Sequence, residues 1–89
     1  MAWRIDFEPG AKKDLKKLDQ QTRVLIQKYL DERIADCDNP RDHGKPLSGN
    51  KSGLWRYRMD KYRIICQIRD QVMIVLVIQI GKRDRVYEG

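Results

Sequence analysis

Histidine is the scarcest reactive residue in this chain, a single His43 among 89 residues, and it is accompanied by only two cysteines, Cys37 and Cys66. Zinc sites built from paired Cys and His ligands need four such donors. That class is excluded, and both cysteines are expected as reduced core residues. Long apolar runs are missing as well. The longest, residues 72–78, is far shorter than the ~20 residues that cross a bilayer, so no membrane span is expected. The opening Met-Ala-Trp-Arg-Ile-Asp lacks a basic region followed by an apolar stretch, so no secretory signal is read and a cytoplasmic location is expected. Internal repeats and low-complexity segments are absent. At this length one domain over 1–89 is expected, burying roughly 60–65% of the surface its unfolded chain exposes.

What is abundant is charge. Charged residues make up 36% of the chain against 40% hydrophobic, with a net charge of +6. The excess is uneven: residues 1–50 carry ten Lys and Arg against nine Asp and Glu, whereas residues 51–89 carry nine against four. A localised basic excess suits a polyanion, and nucleic acid is the commonest one in cytoplasm.

Trp3, Ile5 and Phe7 alternate with Arg4 and Asp6, which predicts a half-buried strand over residues 2–7. Pro9 suits the first turn of a helix. Ala11, Leu15 and Leu18 then recur at helical spacing, with Lys12, Lys13, Lys16 and Lys17 on the remaining face. Asp19 suits the N-cap of a second helix whose Ile26, Tyr29, Leu30, Ile34 and Cys37 form its apolar stripe, so a helical hairpin is expected. Residues 39–53 lose all periodicity, and a long loop is expected there. Period two follows. Trp55, Tyr57 and Met59 oppose Arg56 and Arg58, a turn at Asp60-Lys61 leads to a strand over 62–69, and a turn at Asp70-Gln71 leads to an apolar strand over 72–80. The expected fold is α+β, in the order β-α-α-β-β-β, with the helical hairpin on one face of a mainly antiparallel four-stranded sheet.

The informative feature is the phase of the basic residues. Arg56 and Arg58 share a face, and a two-residue turn brings Arg63 beside Arg58. Like charges so close oppose folding, and their convergence makes sense if they await phosphates; the bland reading is a solvated outer face. Trp55 and Tyr57 fall on the opposite face and are expected in the core. His43 is the one imidazole able to titrate near neutral pH, but it lies in the long loop and is read as a surface residue. Lys12, Lys13, Lys16 and Lys17 form a separate patch, either a positioning grip on nucleic-acid phosphates or a solvated helix face.

The run Leu54-Trp-Arg-Tyr-Arg-Met-Asp-Lys-Tyr-Arg-Ile-Ile-Cys-Gln-Ile-Arg69, followed by Val75-Leu-Val-Ile-Gln-Ile-Gly-Lys-Arg-Asp-Arg-Val-Tyr87, resembles the toxins of the RelE family. So do the opening strand and basic helix, and the loop Lys45-Pro-Leu-Ser-Gly49. The resemblance implies a ribosome-dependent endoribonuclease that cuts mRNA in the A site without metal, through attack of the 2′-hydroxyl. It also implies a cognate RelB-like antitoxin as partner, with operator DNA reached only through the antitoxin complex, and no membrane. Carried over by position, Arg58, Arg63 and Arg83 would stabilise phosphate charge, and Tyr87 would stack on a base or hold the attacking hydroxyl. Lys61 is a candidate proton-transfer amine; Arg56, Lys82 and Arg85 would bind RNA. In the best-known member lysines stand at the positions of Arg56 and Arg58, and an arginine is a poor base, so the proton acceptor stays unassigned. The alternative is a ParE-like toxin that inhibits DNA gyrase by binding; a further one is an inactive member serving as an antitoxin decoy.

Overall fold

The alternation at the N-terminus is used as a strand: β1 (Arg4–Phe7) turns Ile5 and Phe7 toward the core, with Trp3 buried just before it. In this computed structural model, which describes residues 2–82, β1 leads to α1 (Pro9–Lys16) and α2 (Gln20–Tyr29). Pro9 occupies the first turn of α1, where a missing N–H costs nothing. The Asp19 carboxylate accepts from the Thr22 amide at 2.8 Å and caps α2 as expected. Past Tyr29 the coil widens to a π-helical turn over Leu30–Ile34, in which the Ala35 amide donates to the Leu30 carbonyl at 2.8 Å. The widening keeps Leu30, Ile34 and Ala35 all buried.

β2 (Lys45–Pro46), β3 (Trp55–Met59), β4 (Tyr62–Arg69) and β5 (Ile74–Lys82) complete one sheet in the order β1-β5-β4-β3-β2. β3, β4 and β5 form the expected antiparallel meander, and β1 joins β5 in parallel. Both helices pack on one face, where Ile26, Leu30, Tyr57, Ile64, Cys66, Val75 and Val77 form the core.

The strand count is a correction: five rather than four. Two residues of β2 pair with β3, Lys45 with Arg56 and Pro46 with Trp55, and two residues are too few to show a period. The stretch read as featureless loop also holds 3-10 turns at Pro40–Asp42 and Gly49–Lys51. β5 starts later than the alternation suggested, because a 3-10 turn over Asp70–Val72 and a left-handed Met73 (φ 53°) precede it. β5 also carries a bulge. Ile65 pairs with Gln79 but Cys66 pairs with Val77, leaving Ile78 as the extra residue. Val75 and Val77 face the core before the bulge, and Ile80 does so after it. No helix among the described residues is long and apolar enough to cross a membrane.

Candidate nucleic-acid interface

Because β3 alternates, burying Tyr57 turns Arg56 and Arg58 to the sheet face away from the helices. Arg58 pairs directly with Arg63 across the β3–β4 ladder, and Lys45 pairs directly with Arg56 across β2–β3, so four cationic residues share that face. Their exposures differ: Arg58 is exposed, Arg56 is half-buried, and Arg63 is 6% exposed. The bulge in β5 sets what lies beyond Arg63. Its partner there is Gly81, which contributes no side chain to the face.

Other sequence-predicted residues lie elsewhere. Lys82 pairs with Tyr62 and lines a recess on the helix side with Asp14, Lys17 and Leu18, away from the arginine face. Lys61 is exposed in the β3–β4 turn beside the capping Asp19, whose carboxyl is held below its usual range chiefly by hydrogen bonding from Thr22, the side chain first and the amide second. Lys12, Lys13, Lys16 and Lys17 are all exposed on α1, in the layer opposite the arginines. Arg83, Arg85 and Tyr87 lie outside the described residues. Cys66 is buried, and burial pushes its thiol far up; Cys37 is half-buried, with its thiol donating to the Ile34 carbonyl at 3.0 Å. Neither forms a disulfide.

The sequence reading left Lys45 out of the basic face and set His43 aside as a surface residue of the loop. Both belong to the segment leading into β2, which three aromatic side chains pin by donating to backbone carbonyls: Trp3 to Asp38, Tyr57 to Pro40 at 2.8 Å, and Trp55 to His43. Arg41 adds a two-pronged pair with Asp70, at 2.7 and 2.9 Å. Gly44, at φ +73°, lies so close to β3 that a Cβ there would collide with the Arg56 carbonyl oxygen and stand 2.9 Å from the Tyr57 ring. The result is a recess of about 270 Å³ at the edge of β3, lined by Tyr29, His43, Gly44, Lys45, Arg56 and Arg58. No sequence period marks it; the only advance signal is a glycine just after the histidine and just before the basic strand pair.

A family model described as the ParE toxin of type II toxin-antitoxin systems, parDE, matches residues 5–87. The chain belongs to the RelE/ParE toxin family. Among curated relatives, the mRNA interferase toxin RelE of Escherichia coli (strain K12) is 33% identical over 86 residues, spanning 96% of this chain and 87% of that protein. The isolated E. coli RelE toxin has a crystal structure that superposes with a TM-score of 0.72 at 25% identity, covering 96% of this chain and 88% of that one. The fold is shared still more closely with the toxin-antitoxin complex RelBE2 from Mycobacterium tuberculosis, at a TM-score of 0.84 and 23% identity over 93% of this chain and all of that one. The similar curated proteins are thus RelE-type toxins, and at the family level they are ribonucleases by name.

Proposed function

We propose that this toxin is a ribosome-dependent mRNA endoribonuclease that cleaves message in the A site without metal at the chemical step, and that a cognate RelB-like antitoxin neutralises it. The observation that carries the reading is the direct pairing of Arg58 with Arg63 on a face that also holds Arg56 and Lys45. Such a cluster of cations on one face attracts the charge of a phosphodiester. Guanidinium groups stay ionised and can hold two phosphate oxygens at once. In the reaction the 2′-oxygen attacks the adjacent phosphorus, the bond to the 5′-oxygen breaks, and a 2′,3′-cyclic phosphate and a 5′-hydroxyl result. Arg58 and Arg63 would stabilise the charge gathered on the five-coordinate phosphate, assisted by Arg83, with Tyr87 orienting the nucleotide. Lys61 stands at the β3–β4 turn as an amine for proton transfer or phosphate contact.

The antitoxin would cover this basic face with an acidic segment, and the pair would act on its operator through the antitoxin. Support comes from relatives solved with their antitoxins, including E. coli RelE bound to a RelB peptide, whose toxin is 30% identical to this chain. The gyrase-inhibitor reading is not favoured, because the similar curated proteins are RelE interferases. Purified toxin added to programmed ribosomes tests the reading. The expected result is A-site cleavage with cyclic-phosphate and 5′-hydroxyl ends, slowed about 10² to 10³-fold in Arg63→Ala by analogy with loss of an oxyanion-hole donor. Intact message together with reduced gyrase supercoiling would transfer the protein to the ParE-like class.

A further inference from the structure

The basic face can stabilise phosphate charge, but arginine cannot serve as a base near neutral pH. We propose that His43 is the proton acceptor of this site, taking the proton of the attacking 2′-hydroxyl. The proposal rests on the nuclease reading and assigns it a residue that neither the family relationship nor the strand pattern supplies.

Three observations converge on it. His43 lines the recess at the edge of β3 together with Arg56 and Arg58, so it stands beside two arginines of the proposed site. Its backbone is fixed from two sides: Trp55 donates to its carbonyl, and Gly44 allows the next residue to lie against the Arg56 carbonyl, where any side chain would collide. Finally, the groups facing the recess are Tyr29 from α2, Lys45 from β2, and Arg56 and Arg58 from β3, with Asp42 preceding His43 in the chain. Arginine and lysine side chains are protonated at neutral pH, and burial raises the Tyr29 phenol so that it too keeps its proton. Among the described residues that line the recess, His43 is the one of a type commonly used as a general base.

In the step assigned to it, neutral His43 takes the 2′-hydroxyl proton as the 2′-oxygen bonds to phosphorus. The bond from phosphorus to the 5′-oxygen breaks, and that oxygen acquires a proton from solvent. His43 then returns its proton to water.

Single-turnover cleavage on programmed ribosomes, followed from about pH 5 to 9, the range in which an imidazole base would titrate, tests the assignment with wild-type toxin, His43→Gln and His43→Ala. Circular dichroism and thermal melting establish that the variants are folded. The expected result is a loss of about 10² to 10⁴-fold in rate for both variants, the range typical of a positioned base. The acidic limb of the wild-type profile should also disappear, and added imidazole should partly restore His43→Ala. Active wild-type toxin with folded variants that cleave at the same rate and keep the same acidic limb would overturn the role of His43 while leaving the nuclease reading in place. Wild-type toxin that leaves message intact would remove both.

Discussion

Arg58 and Arg63 face each other across a ladder in which directly opposed residues have their Cβ atoms roughly 4.5–5.5 Å apart. A pair of cations there weakens the sheet, so Arg58→Thr, which keeps a strand-forming residue, is expected to stabilise the protein by about 0.2–1 kcal/mol. Chemical denaturation reads that gain, and ribosomal cleavage reads the accompanying loss of activity; a folded variant less stable than wild type would contradict the assignment of that face to ligand binding. The sharing of this face was legible from phase alone, because Trp55 and Tyr57 could not be buried without turning Arg56 and Arg58 away. The depth of Arg63 was not legible. Period two states which side a residue takes but says nothing of what covers it, and Arg63 is 6% exposed.

Elements show the same division. The helices and the meander each span enough residues for a period to declare itself, whereas β2, with two residues, cannot. What seals the far edge of the sheet is a tertiary contact with no sequence signature. β1 pairs with β5 only as far as Val77, and beyond it α1 takes over, with the Asp14 carboxylate accepting from the Ile80 amide at 3.0 Å. Asp14→Ala strands that part-buried amide and is expected to cost about 1–3 kcal/mol. Asp14→Asn, which keeps an acceptor oxygen, should cost less in the same urea titration. The clamp from the Pro40–Asp42 turn to the β4–β5 connection carries a pH signature. The hydrogen bonds from Arg41 hold the Asp70 carboxyl below its ordinary value. A carboxyl lowered on folding contributes stability that is full above its unfolded pKa of about 3.9 and is lost as pH falls through the folded value. The stability difference between wild type and Asp70→Asn should therefore be constant near neutrality and close as the solution is acidified below about pH 4. A difference that instead grows in acid would contradict the pairing.

At the scale of the molecule two basic patches lie in different layers, lysines on α1 behind the sheet and arginines of β3 and β4 in front of it. Both layers can meet phosphate when the partner is as large as a ribosome. Binding to ribosomes should then weaken linearly in log affinity against log salt. Replacing Lys12, Lys13, Lys16 and Lys17 together with glutamine should flatten that slope without changing the cleavage products, as sedimentation and end analysis would show. An unchanged slope would assign the helix lysines to the solvated-face reading. One further property follows from the extra residue at Ile78. It acts as a one-residue shift of frame in space: pairing β5 regularly with Ile78 retained would set Ile78 opposite Ile65, Gln79 opposite Ile64 and Ile80 opposite Arg63, turning Ile80 away from the core. A better-paired strand of the same length would thereby give a worse protein, with the polar Gln79 pushed into the core and the apolar Ile80 moved onto the cationic face.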